Sequence, residues 1–255
     1  MKARWTFLVL GSGAFAPGPG ERGARVRNPA GYALDTGDGL LLFDFGFGNL
    51  RQLYRAGRRS REVRHAFFSH RHPDHVGDLA ALLFQLRCDV KPEGGRLSLY
   101  GPRGFTAFVE RLRGAYGPWL EPKGYALEVR ELESGEKVAR DGWTVSCRSV
   151  PHPAESLAYR LDSSGGSLCY SGDTGYDPGL AEFARGVDLS VLECTLPDSA
   201  RYRWHLRVRE ALSLARESGA RRSLLTHLSE GSGRQAARRL PRNVSLARDL
   251  QKLRL

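Results

Sequence analysis

The run His70-Arg71-His72-Pro73-Asp74-His75 holds three imidazoles and a carboxylate within six residues. These are donors that a divalent transition metal accepts, zinc above all. The run follows Ala66-Phe67-Phe68-Ser69, an apolar stretch that reads as a strand ending at Ser69. Beyond such an end, residues 70 and 72 point to one side of an extended chain. Pro73 stops the extension, and Asp74 and His75 open a helix. Two ligand pairs then face two neighbouring metal positions.

Further donors lie downstream, among the seven histidines and the acidic residues. His152 stands in Val150-Pro151-His152-Pro153, Asp173 in Ser171-Gly172-Asp173-Thr174, and His227 in Leu224-Leu225-Thr226-His227. Each follows a strand-like run, as His70 does, and α/β folds collect their sites at the C-terminal ends of strands. Imidazole and carboxylate donors suit zinc, with manganese or iron as alternatives; no thiolate is placed to ligate. His65 sits at a strand start and reads as structural.

The elements that must position these residues follow from hydrophobic pattern. Strands are expected at 5–10, 32–35, 40–43, 66–69, 97–100, 144–150, 158–161, 167–171, 189–193 and 223–226. Helices are expected at 48–56, 75–86, 105–112, 178–184, 208–218 and 233–240, the second with Leu79, Leu82, Leu83 and Leu86 on one stripe. Short strands first, then strands alternating with helices, imply a layered α/β domain. The stretch 85–128 reads as an irregular loop packing Tyr116, Trp119 and Tyr125, or as a pocket wall. No linker or repeat divides the chain, so a single domain over residues 1–255 is expected.

Composition narrows the function classes. No apolar run approaches the ~20 residues of a membrane span, so no membrane partner is expected. Residues 1–4 look like a signal n-region, but the apolar stretch after them stops at Gly11. Cys88, Cys147, Cys169 and Cys194 form no CxxC pair and read as free thiols, which points to a cytoplasmic location. The formal charge of +11 would favour a polyanion such as RNA. The excess is almost all arginine, with lysine only at 2, 91, 123, 137 and 252, and such a bias also arises from genome composition or thermal adaptation.

The sequence resembles the metallo-β-lactamase superfamily, which carries an HxHxDH motif followed by single His, Asp and His ligands. It is most similar to the branch containing ribonuclease Z and related phosphodiesterases. Leu10-Gly11-Ser12-Gly13, Thr36-Gly37-Asp38-Gly39-Leu40-Leu41-Leu42-Phe43-Asp44, the stretch 46–53 with Arg51-Gln52-Leu53, and Leu99-Tyr100-Gly101-Pro102 carry the likeness beyond the histidines. The resemblance implies a four-layer αββα sandwich, two packed mixed sheets flanked by helices. It implies that His70, His72 and His152 bind one zinc ion and Asp74, His75 and His227 a second. Asp173 would bridge the two zinc ions together with a hydroxide, and Asp44 would orient a ligand histidine. Asp74 would orient the attacking hydroxide. His205, in Trp204-His205-Leu206, would protonate the leaving group; Arg207 stands where the family has a helix-capping Ser or Thr.

A dinuclear site of this kind suits a phosphodiester, because its two non-bridging oxygens can engage both metals. Ribonuclease Z enzymes of the bacterial type carry a tRNA-gripping arm between the third histidine and the bridging aspartate. Here 21 positions (173 minus 152) separate those residues, and no basic-Asn loop for the tRNA 3′ end is evident. A small phosphodiester or short nucleic acid is therefore the expected substrate, ahead of precursor tRNA. Another ester, such as a lactone, thioester or aryl sulfate, is a further alternative. A nucleic-acid-binding module with an inactive metal site is the alternative of a different class; its support is the basic stretch with Arg234, Arg238, Arg239, Arg242, Arg248 and Arg254. Many relatives are dimers, so a homodimer is a possible assembly.

Overall fold

The computed structural model describes residues 5–14, 19–23, 26–88, 91–140, 142–153 and 155–255. Residues 1–4, weighed above as an n-region, and Ala154 of the short 152–173 interval lie outside it.

The apolar runs pair into two sheets. One contains β1 (Thr6–Gly11), β2 (Gly31–Asp35), β3 (Leu40–Phe45), β4 (Val63–Phe67), β5 (Arg96–Gly101) and β6 (Ala126–Glu131). The other contains β7 (Lys137–Arg140), β8 (Trp143–Ser149), β9 (Leu157–Ser163), β10 (Gly166–Tyr170), β11 (Leu189–Glu193), β12 (Arg222–Thr226) and β13 (Val244–Leu246). β14 (Lys252–Arg254) returns to the first sheet, whose order is β14-β1-β2-β3-β4-β5-β6; the second runs β13-β12-β11-β10-β9-β8-β7. Each sheet is mixed. β1 to β3 and β7 to β10 pair antiparallel, whereas β3 to β6 and β10 to β13 pair parallel.

Three apolar layers follow from this stacking. Phe7, Tyr32, Phe43, Phe67 and Tyr100 meet Val145, Tyr159, Leu161, Tyr170 and Val191 between the sheets. The outer face of the first sheet is covered by α1 (Asn49–Arg55), α3 (Leu79–Cys88) and α4 (Phe105–Tyr116). The outer face of the second is covered by α5 (Pro178–Phe183), α6 (Val208–Glu217) and α7 (Glu230–Ala237). Buried on both faces, the parallel strands read as near-continuous apolar runs, which is why the sequence shows them. The layering is the expected αββα sandwich.

Several boundaries move. The expected helix 75–86 divides into α2 (Pro73–Val76) and α3, with Gly77 and Asp78 between them. Asp78 N–H donates to the Phe45 carbonyl (3.0 Å) and its carboxylate accepts from Leu50 N (2.8 Å), so the break anchors the motif to β3 and α1. The strand expected at 66–69 is Val63–Phe67; Phe68 follows it, its N donating to the Tyr100 carbonyl, and the chain bends at Ser69. The last expected helix starts earlier, at Glu230. β6, β7, β13 and β14 carry too few apolar residues to stand out. The stretch 85–128 is no irregular loop: α4 and β6 order it, and Leu120 and Tyr125 are buried against the first sheet.

Gly46 has a packing role that no other residue could fill. A Cβ there would stand 1.9 Å from the Asp74 carbonyl, so its absence lets α2 lie against the end of β3. Cys88 is exposed; Cys147, Cys169 and Cys194 are buried free thiols, and burial pushes all three of these above the usual thiol range, Cys147 to about 11.

Candidate metal centre

The site begins with a bulge. Tyr32 pairs with Phe43 and Gly31 with Phe45, so Asp44 is the extra residue, and its φ is 54°. A carboxylate side chain held in this left-handed conformation is turned out of the pleat and into the space above β4. There, fully buried, Asp44 accepts from Ser69 N (2.6 Å), Ser69 Oγ (2.6 Å), Tyr170 OH (2.5 Å) and His75 Nδ1 (2.7 Å). Because Ser69 Oγ donates to Asp44, it accepts from His70 Nδ1 (2.9 Å). One carboxylate therefore fixes two imidazoles with their Nε2 atoms turned inward.

The second sheet has a corresponding group. Glu193, at the end of β11 and 1% exposed, accepts on Oε1 from Thr174 N (2.8 Å) and His205 Nδ1 (2.8 Å). On Oε2 it accepts from Thr195 Oγ1 (2.7 Å) and Leu206 N (3.2 Å). Thr195 Oγ1 then accepts from His227 Nδ1 (2.8 Å), leaving His227 Nε2 to face the centre. His152 is set by donation from Nδ1 to the Trp204 carbonyl (3.1 Å).

The inward-facing atoms converge. His70, His72, His152 and Asp173 form one group whose donor atoms lie within 4.8 Å of one another; Asp74, His75 and His227 form a second. Asp173 joins them: its Oδ2 is 3.7 Å from His70 Nε2 and 3.2 Å from His75 Nε2, and its Oδ1 is 3.6 Å from His227 Nε2. Gly172, at φ 58°, permits this approach, since a Cβ would lie 2.7 Å from Ser69 Cβ. Asp173 with His205 and His227 satisfies the same proximity, but His205 Nδ1 is already engaged by Glu193. All eight residues anticipated from the sequence thus meet in one place.

The donor set fits a pair of divalent cations. His70 Nε2, His75 Nε2 and Asp173 Oδ1 are buried with no hydrogen-bond partner, an arrangement that is costly unless something else satisfies them. Burial and the neighbouring His75 charge hold His70 well below the usual histidine range, and burial lowers His72 and His152, so these three keep the lone pairs a metal needs. Asp173 is held well below the usual carboxylate range. Burial alone would raise it; the charges of His227, His75 and His70 prevail. His75 is raised despite complete burial, by Asp173 and Asp44. His205 is pushed up to about 9: burial lowers it, but the Glu193 charge and hydrogen bond outweigh that.

Sequence pattern alone did not single out Ser69, Glu193 or Thr195. Glu193 had a readable signal, a charge inside the apolar run Val191-Leu192-Glu193-Cys194, which a buried strand tolerates only with partners. Arg207 does not leave α6 uncapped. Glu210 accepts from Arg207 N (2.9 Å), and Asp198 from the preceding loop accepts from Arg209 N (2.8 Å). A basic-Asn pair, Arg27-Asn28, is used within the fold. Arg27 is spent on Ser12 Oγ and the Ala247 carbonyl, and Asn28 on Asn49 Oδ1. His65 is structural, packed edge-on to Trp143 with ring centroids 5.1 Å apart.

A two-sheet sandwich with its His/Asp cluster at the strand ends is the architecture of a metal-binding hydrolase fold. The chain belongs to the β-lactamase superfamily: the Beta-lactamase superfamily domain matches residues 40–228. It is 34% identical over 198 residues to the uncharacterized protein Rv1339 of Mycobacterium tuberculosis, covering 76% of this chain and 72% of that one. It is 28% identical over 279 residues to ribonuclease BN of Erwinia tasmaniensis, covering 86% and 88%. Among solved structures, the metallo-β-lactamase fold protein YhfI of Bacillus subtilis superposes with a TM-score of 0.81 at 22% identity, covering 99% and 100%.

Proposed function

We propose that the chain is a dinuclear-metal phosphodiesterase. The observation that carries this is the joining of two donor groups through one buried aspartate, with His205 beside them. In this reading His70, His72 and His152 hold one metal, Asp74, His75 and His227 the other, and Asp173 both. Zinc is the metal that the imidazole-rich set favours, with manganese or iron as alternatives. When bound, two such ions supply a deprotonated water at neutral pH and withdraw charge from phosphoryl oxygens.

The chain's own residues do the rest. Asp74, 3.3 Å from His227 Nε2 through Oδ2, accepts from the attacking water and orients it. His205, protonated and held through Nδ1 by Glu193, donates from Nε2 to the departing alkoxide oxygen. Free cysteines support a cytoplasmic setting for this reaction.

The interval from His152 to Asp173 is taken up by β9, a tight turn in which Ser163 Oγ donates to the Gly166 carbonyl, and β10. That supports a small phosphodiester or a short nucleic acid as substrate. Precursor tRNA is the second reading, supported by the similarity to ribonuclease BN. The test is a panel on metal-loaded protein with metal content measured in parallel: bis(p-nitrophenyl) phosphate, a 2′,3′-cyclic nucleotide, precursor tRNA, a lactone and an aryl sulfate. Phosphodiester turnover with two metals bound is expected. Turnover of the lactone or sulfate alone, or a single metal at saturation, would refute it.

A further inference from the structure

The loop between β11 and α6 delivers His205, and it carries more than that residue. Its base is closed by Leu196 N donating to the Leu206 carbonyl (3.0 Å) and Val208 N to the Leu196 carbonyl (3.1 Å). It is tied to the metal groups by the His152–Trp204 hydrogen bond. It is pressed against the Asp173 segment as well. A Cβ on Gly175 would meet the Arg203 carbonyl at 2.3 Å, so the two backbones touch, and Tyr176 follows directly.

On this fixed loop the side chains at 201, 202 and 203 are exposed. Tyr202 is 52% exposed, and its ring faces His205 at 5.9 Å and 30°. Arg203 lies over the Trp204 indole at 4.4 Å, and Tyr176 is 44% exposed. Among the described residues, no carboxylate pairs with Arg201 or Arg203. A tyrosine, a guanidinium laid on an indole and a second free arginine, held rigid beside a catalytic imidazole, make up a stacking platform with a cationic border. Nothing in the sandwich needs these rings on its surface.

We propose that this loop is the leaving-group subsite and that the leaving alcohol is a nucleoside, its base stacked on Tyr202 and a following phosphate held by Arg201 and Arg203. The proposal rests on the phosphodiesterase reading and on His205 as proton donor. The Tyr202 ring that faces His205 is an exposed neighbour for whatever hangs on the oxygen that His205 protonates. A base stacked on an aromatic side chain is held without regard to its sequence, because every base has a π-face.

The test compares kcat/KM for an adenine dinucleotide with that for the methyl ester of adenosine monophosphate, which differs only on the leaving side. Tyr202→Ala should lower the dinucleotide-to-methyl ratio roughly tenfold, and Tyr202→Phe should restore it. A ratio unchanged by Tyr202→Ala overturns the subsite. Calorimetry with a phosphorothioate-linked adenine dinucleotide separates the two readings. If no phosphodiester is turned over yet this probe binds and Tyr202→Ala weakens it, the phosphodiesterase reading and the leaving-group role fall, and Tyr202 is left as a base-stacking surface only. If Tyr202→Ala leaves that binding unchanged, the subsite falls whatever the activity.

Discussion

Asp44 and Glu193 are buried carboxylates at strand ends, one in each sheet, and both collect donors from several segments. They differ in what they serve. Asp44 holds His70, through Ser69, and His75, and three of the bonds it accepts come from Ser69 and His75, at either end of one seven-residue stretch. Glu193 holds His205 directly and His227 through Thr195, gathering residues from three separate loops. The first hub thus orients two metal ligands of one contiguous motif, and the second orients the proton donor together with the closing ligand, which lie on different loops. Asp44 should govern metal content, and Glu193 should govern proton transfer to the leaving group.

The largest effect should come from removing what Glu193 orients. His205→Ala should cut turnover of a dialkyl phosphodiester by roughly 10²–10⁴-fold and turnover of a p-nitrophenyl ester far less, with two metals retained. Equal losses on both substrates would remove His205 from the proton-donor role. Next in size is Asp44→Ala, which leaves Ser69, Tyr170 and His75 unpaired in the interior. Metal affinity should fall roughly 10–100-fold, and stability by about 3 kcal/mol or more, read by metal analysis and urea denaturation. Glu193→Gln keeps the shape and removes the charge. It should lower turnover about tenfold, and its loss should grow with leaving-group pKa, as that of His205→Ala does. If Glu193→Gln instead emptied the metals while Asp44→Ala spared them, the division between the two hubs would be reversed.

These two groups also mark where the sequence was readable. Asp44 lies in a stretch whose pattern carries the family likeness, and the HxHxDH residues are contiguous, so their chemistry could be read without coordinates. His152, Asp173 and His227 were legible because each follows an apolar run whose end is visible. At Glu193 only the need for partners is legible, and Thr195 carries no signal, because the partners themselves meet only once β10, β11 and β12 lie side by side in parallel. Parallel pairing is a long-range event with no local signature. The edge strands β7, β13 and β14 were missed for a related reason: half-exposed and short, they lack the apolar run that burial on both faces imposes. The break at Gly77-Asp78 was hidden because the leucine stripe of α3 continues smoothly back toward His75.

A smaller test concerns the tie between the sheets. Among the described residues, Tyr170, on β10, is the one donor to Asp44 that comes from the second sheet. Tyr170→Phe should cost about 1–2 kcal/mol and weaken metal binding less than Asp44→Ala does. A loss of metal equal to that of Asp44→Ala would mean that the first hub depends on both sheets rather than on the motif alone.

His65 shows what a half-buried histidine on β4 does without such a hub. Burial and the charges of Arg140 and Arg64 pull it down to about 4, and no nearby carboxylate reverses this as Asp44 and Asp173 do for His75. Between pH 4 and 6.5 the unfolded chain takes up a proton at this position that the folded chain refuses. Stability from His65 is therefore full above pH 6.5 and declines as the pH falls toward 4. The shift would amount to about 3 kcal/mol, reduced to about 2 kcal/mol because solvent reaches part of the ring. Urea denaturation of chelator-treated protein, with and without His65→Phe, isolates this contribution, since metal release is then common to neither. The wild type should lose more stability than the variant on going from pH 6.5 to 4. Parallel curves would show that the ring accepts its proton in the folded state, and that a β4 histidine needs no carboxylate to stay charged.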